Sequence, residues 1–83
     1  ATVYLRADAN VSYINNGANF GIGVTDPDCK LEVGGTDAMS VPSGTTAQHP
    51  GTPRNGMIRY NTTLSKMECY VDGGWHTFDT TAE

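Results

Sequence analysis

The stretch from Gly56 to Phe78 constrains the fold most. It holds three short runs rich in aromatic and branched residues, Met57 to Asn61, Lys66 to Val71 and Trp75 to Phe78, separated by clusters of turn formers. That spacing predicts an antiparallel three-stranded meander. Asp72, Gly73 and Gly74 tolerate the positive φ that a tight hairpin requires, and Thr62 to Ser65 suits a four-residue loop. Side chains alternate along a strand, so Ile58 and Tyr60 share one face while Met57, Arg59 and Asn61 share the other. The second run splits Met67, Cys69 and Val71 from Lys66, Glu68 and Tyr70, and the third splits Trp75 and Thr77 from His76 and Phe78. Neither face is purely polar. A sheet of this kind must be covered on both sides, and 83 residues leave little chain to do it with.

The rest of the chain reads as short extended pieces. Thr2 to Arg6 alternates, as does Asn10 to Ile14 before Asn15, Asn16 and Gly17 end the run. Phe20, Ile22 and Val24 fall on one face with Gly21 and Gly23 between them, so a neighbouring backbone, expected to be another chain, can approach on the glycine side. Thr25 to Asp28 forms a turn, Lys30 to Val33 alternates again, and Met39 to Val41 predicts a brief strand stopped by Pro42. Val41 to Asn55 is poor in apolar residues and stiffened by Pro50 and Pro53, which favours an extended connection. No window carries apolar residues at helical spacing over three turns. The expected class is therefore all-β, with residues 1–55 an extended strand-and-turn segment and 56–83 the meander.

Composition turns this into a packing problem. Hydrophobic residues make up 37% of the chain, and its ten glycines bury no side chain. An average domain reaches roughly 45% or more with glycine counted. Association of several copies is the expected remedy, because area buried between chains replaces a missing core. A net charge of −4 argues against a basic patch for nucleic acid or anionic lipid, and the cations Arg6, Lys30, Arg54, Arg59 and Lys66 are scattered. No stretch approaches the roughly 18 apolar residues of a membrane span, and no leader resembles a signal peptide. The expectation is a soluble chain without membrane insertion, either a fragment or a protein that has lost its initiator Met. Cys29 and Cys69 are too few for a disulfide scaffold and are expected as reduced thiols.

Signatures of chemistry are weak. Gly21 and Gly23 begin like a dinucleotide loop, but no third glycine follows in register and Pro27 forbids the helix that would hold a phosphate. His49 and His76 lack metal-ligand spacing with each other or with either cysteine, and Asp26, Asp28 and Asp37 lack the spacing of a calcium loop. Ser12, Ser40, Ser43 and Ser65 sit in no nucleophile-elbow pattern. Asn10 and Asn61 head glycosylation-type triplets that turn chemistry explains equally well. The chain is read as neither an enzyme nor the holder of a cofactor or metal. Trp75, Tyr70 and His76 near a hairpin are the candidates for stacking on a sugar, with core anchoring the favoured role of Trp75.

Phe20 to Val33, Gly35 to Pro53 and Asn55 to Asn61 through Trp75, in that order, resemble a segment recurring in tail-fibre and related appendage proteins of tailed bacteriophages. The resemblance covers about residues 20 to 78. Here Val24 stands where those relatives carry threonine, Cys29 where a small residue is common, and His49 where they carry arginine. The resemblance implies a β-rich homotrimeric fibre segment in which three chains intertwine about one axis, a structural part of the virion at the tail fibre or capsid surface. Its partners are then other virion proteins and, as an alternative, a host-surface glycan. Phe20, Gly21, Ile22, Gly23, Val24, Leu31, Val33, Met39, Val41, Ile58 and Tyr60 form the candidate trimer interface. Three copies of one histidine meeting a metal on the axis is a lesser possibility, two ordinary histidines the favoured one. The alternative functions are a receptor- or glycan-binding tip and a head decoration protein.

Overall fold

A computed structural model describes residues 2–8, 12–15 and 17–82. Asn10 and Val11, expected to open the second strand, and Asn16 of the turn after it lie outside the described residues. The fold is all-β, and its one helical piece among the described residues is a single 3₁₀ turn, Thr46–Gln48. The chain divides into two compact units, Ala1–Met39 and Ser40–Glu83.

In the first unit, β1 (Thr2–Tyr4) pairs antiparallel with β2 (Tyr13–Asn15). Tyr4 lies opposite Tyr13, and their rings meet edge to face at 5.4 Å. β3 (Phe20–Ile22) pairs in parallel with β4 (Leu31–Val33), Phe20 beside Leu31 and Ile22 beside Val33. Parallel strands ordinarily need a crossover of a dozen residues or more, and residues 23–30 make this one with less. Positive φ at Gly23, +74°, starts the return, and the Asn19 amide donates to the Pro27 carbonyl at 3.0 Å to hold the loop.

Within the chain itself, the alternating glycines already permit a near approach of its own backbone. A Cβ on Gly21 would fall 2.4 Å from the Val24 carbonyl oxygen, and one on Gly34 would fall 2.7 Å from that of Gly23. The 23–30 connection thus lies over the Gly21 side of the ribbon.

The second unit is one sheet in the order β5 (Ser43–Gly44), β6 (Ile58–Asn61), β7 (Lys66–Val71), β8 (Gly74–Thr77). β6, β7 and β8 pair antiparallel in sequence, and β5 lies parallel to β6. Asp72 and Gly73 take φ of 51° and 75°, the left-handed pair that a two-residue hairpin with matching twist demands. The Thr62 to Ser65 loop is shaped by Asn61, whose Oδ1 accepts from the N–H groups of Thr63 at 2.9 Å and Leu64 at 3.1 Å. Ser65 closes it at φ 55°.

Two expectations for the middle of the chain fail. Met39 to Val41 forms no strand, and the pairing falls instead at Ser43–Gly44. The reason lies in the ladder, where the Pro42 and Gly44 carbonyls accept from Tyr60 N–H at 2.9 Å and Thr62 N–H at 2.8 Å. A proline can accept in a ladder although it cannot donate. Nor is 41–55 merely an extended connection. It belongs to the second unit and carries both β5 and the 3₁₀ turn.

Candidate functional site

Strand register sorts the second sheet into two faces. Arg59 lies opposite Glu68, Glu68 opposite Thr77, and Tyr70 opposite Trp75, so all five share a face with Asn61. Ile58 opposite Cys69, Tyr60 opposite Met67, Val71 and His76 occupy the other.

The first face is where the chain buries itself, and what it buries is polar. Among the described residues Arg59, Asn61 and Glu68 are buried, at 6%, 0% and 2% exposure, and no hydrophobic side chain is. Glu68 Oε1 accepts from Arg59 Nη1 at 2.5 Å and lies 2.6 Å from His49 Nε2. The Asn61 amide donates to Glu68 Oε2 at 3.2 Å and to Thr46 Oγ1 at 3.0 Å. Arg59 Nη2 donates to the Thr45 carbonyl at 3.0 Å.

This network ties residues 45–49 down over the sheet. Gln48 Oε1 accepts from Thr45 N–H at 2.8 Å, closing the 3₁₀ turn on itself. Gly44 leaves room beneath it, since a Cβ there would fall 2.5 Å from Arg59 Nη2 and 3.0 Å from Gln48 Oε1 and both side chains would have to shift.

Burial pushes the Glu68 carboxyl up, but hydrogen bonds from His49, Arg59 and Asn61, with the charge of His49, outweigh it and hold the group below its ordinary value. An ionised carboxylate only accepts, so His49 Nε2 carries the shared proton. The ring of His49 also stacks on Trp75, centroids 4.4 Å apart and planes within 5°. No buried side-chain nitrogen or oxygen among the described residues lacks a partner. The cluster acts as a clamp with its hydrogen-bonding capacity filled.

The candidate sugar-binding set is only partly brought together. Tyr70 meets Trp75 edge to face at 5.2 Å, but His76 lies on the opposite face, because one step along a strand reverses the side chain. Trp75 is half-buried, with His49 on one side of its indole. It lines a cleft of about 630 Å³ together with Met57, Arg59, Gln48 and Pro50.

The apolar residues point outward. In the first unit Phe20, Ile22, Leu31 and Val33 share one face of the β3–β4 ribbon, and all four are exposed, at 37%, 52%, 54% and 45%. Gly21 and Glu32 take the other face, both half-buried, with Glu32 Oε1 accepting from Asp28 N–H at 2.7 Å. Of the other candidate interface residues, Met39 is exposed, Gly23 is exposed at its turn, Val24 and Val41 are half-buried, and Ile58 and Tyr60 sit on the outer sheet face, exposed and half-buried.

Each unit therefore covers its polar or glycine-lined side with its own connection and leaves several apolar side chains of the other side exposed. Cys29 is exposed and Cys69 half-buried, both as free thiols.

Sequence reasoning missed the buried clamp. Alternation placed Arg59 with Asn61 and the hairpin would place Glu68 beside them, but three adjacent polar groups on one face normally read as solvated. The sign available was the neighbouring 45–50 segment, whose Thr45, Thr46 and Gln48 supply partners that a fully extended connection would not. No protein-family model, no curated protein and no solved structure matches the chain.

Proposed function

We propose that this chain is a structural segment of a bacteriophage virion, part of a tail fibre or capsid-attached fibre, in which three copies intertwine and hold an appendage in register. One observation carries the associative part of this reading. Phe20, Ile22, Leu31 and Val33 form a bare apolar face on a two-stranded ribbon. A two-stranded piece is marginal alone in water, and full burial of each such side chain is worth roughly 1.5–3 kcal/mol, about half of which is still forgone at these exposures. The count of three and the virion setting rest on the resemblance of residues 20 to 78 to phage appendage segments. Light scattering tests the stoichiometry, with a particle of three times the 8.8 kDa chain mass expected and a stable folded single chain contradicting it.

A second reading, a glycan-recognising tip, is favoured by the cleft that Trp75, Arg59 and Gln48 line. Against it, Arg59 is already committed to Glu68 and the Thr45 carbonyl, and Trp75 to His49. A glycan array unresponsive to both the native chain and a folded Trp75→Ala variant removes that reading.

A further inference from the structure

The turn that leads into β6 holds the dipeptide Asn55–Gly56, both residues exposed. Asparagine is a thermolabile residue, and ahead of glycine it reacts with its own backbone, because a residue without Cβ leaves its nitrogen unhindered beside the side-chain amide. The Gly56 nitrogen, once its proton has passed to water or hydroxide, bonds to Asn55 Cγ. The bond from Cγ to the side-chain nitrogen then breaks, and ammonia leaves with a proton returned by water. A second water opens the cyclic imide at either carbonyl, giving aspartate or isoaspartate at position 55. We propose that Asn55 is a self-modification site gated by the sheet, held unreactive while the turn is closed and converted irreversibly when the end of β7 and its hairpin separate from it. The proposal is independent of the assembly reading above.

The gate is built from hydrogen bonds to the backbone. The Gly56 N–H donates to the Tyr70 carbonyl at 2.7 Å, so the proton that must leave is held between the turn and β7. Asn55 Oδ1 accepts from the Gly73 N–H at 3.2 Å, which tethers the side chain to the β7–β8 hairpin. The Met57 N–H donates to the Arg54 carbonyl at 3.1 Å and Gly56 takes φ of 99°, a hydrogen-bonded turn with glycine at its third position. A donor on Oδ1 also polarises the Cγ carbonyl toward attack, but no nucleophile forms while the Gly56 proton is bound. Tyr70 and Gly73 both belong to the end of β7 and its hairpin, so one separation frees both partners of the reaction together. Isoaspartate adds a methylene to the main chain, after which the Gly56 N–H no longer meets Tyr70 in register. The modified chain keeps a record of having opened.

The full chain is incubated in mildly alkaline buffer, native and urea-unfolded, and cut with trypsin, which releases residues 55–59 between Arg54 and Arg59. Mass spectrometry of that fragment, with an isoaspartate-specific methylation assay, follows position 55 apart from Asp72–Gly73 and from Asn16–Gly17, which fall in other fragments. The second Asn–Gly pair supplies a reference rate in the unfolded chain. Asn55 is expected to react about tenfold or more slowly in the native protein than in the unfolded chain, and hydrogen exchange at the Gly56 N–H to slow by a like factor, since one opening governs both. Gly73→Val, which strains the hairpin, is expected to bring the Asn55 rate several-fold back toward the unfolded value. A native rate equal to the unfolded one overturns the gate, and an unfolded Asn55 that stays intact while Asn16 reacts overturns the site. A folded Gly73→Val protein with an unchanged Asn55 rate overturns the assignment of the gate to the hairpin. Should Gly73→Val not fold, the native and unfolded rates at Asn55, set against Gly56 exchange, decide.

Discussion

At the scale of single residues the chain turns on Glu68. Its carboxylate is buried against Arg59, His49 and Asn61, so removing it strands a buried guanidinium. Glu68→Ala is expected to destabilise the second unit by about 2–3 kcal/mol in urea unfolding, less than the roughly 3–5 of a deep interior, because the covering residues Thr45 to Gln48 are themselves exposed and water lies close behind. A loss indistinguishable from zero would show that the clamp is incidental. The pH dependence has a definite sign. A carboxyl whose folded pKa lies below its unfolded value contributes stability that is present above the unfolded value and lost as pH falls through the folded one. The urea midpoint is expected to be insensitive to this group at neutral pH and to fall on acidification below about pH 4.3. Glu68→Gln, which cannot titrate, is expected to flatten that acid limb, and an unchanged limb assigns it to other carboxylates.

At the scale of elements, turn chemistry decides where strands begin and end. Gly73 sits at φ 75° beside Asp72 at 51°, and a branched residue there must enter a left-handed conformation. Gly73→Val is expected to cost about 1–2 kcal/mol, measured as a lowered thermal midpoint, while Asp72→Asn keeps the turn intact. A Gly73→Val protein as stable as the parent would mean that the hairpin tolerates another turn type. Turns were also the most legible part of the sequence. The runs beginning at Met57, Lys66 and Trp75 correspond to strands beginning at Ile58, Lys66 and Gly74, because their boundaries are written in glycine, aspartate and threonine. Tertiary pairing was not written locally. Ser43–Gly44 has no strand pattern of its own and pairs because Pro42 and Gly44 offer carbonyls to β6. The clamp was hidden for the same reason, since His49 and Thr46 reach Asn61 and Glu68 from far along the chain. The glycines near Phe20 are sites of close approach, and within the chain the backbone that approaches Gly21 is its own return past Val24 and Pro27.

At the scale of the whole molecule, each unit places hydrogen-bonded polar or backbone groups under its own connections and apolar side chains outside. Leu31, Val33, Ile58 and Val71 therefore remain wet in a single copy. If other copies cover them, native structure and association are one equilibrium, and stability depends on concentration. The most direct measurement is the thermal midpoint followed by circular dichroism over about a hundredfold range of chain concentration. The account predicts a midpoint that climbs steadily with concentration. A midpoint constant across that range, with the sheet signal intact at the dilute end, would contradict it.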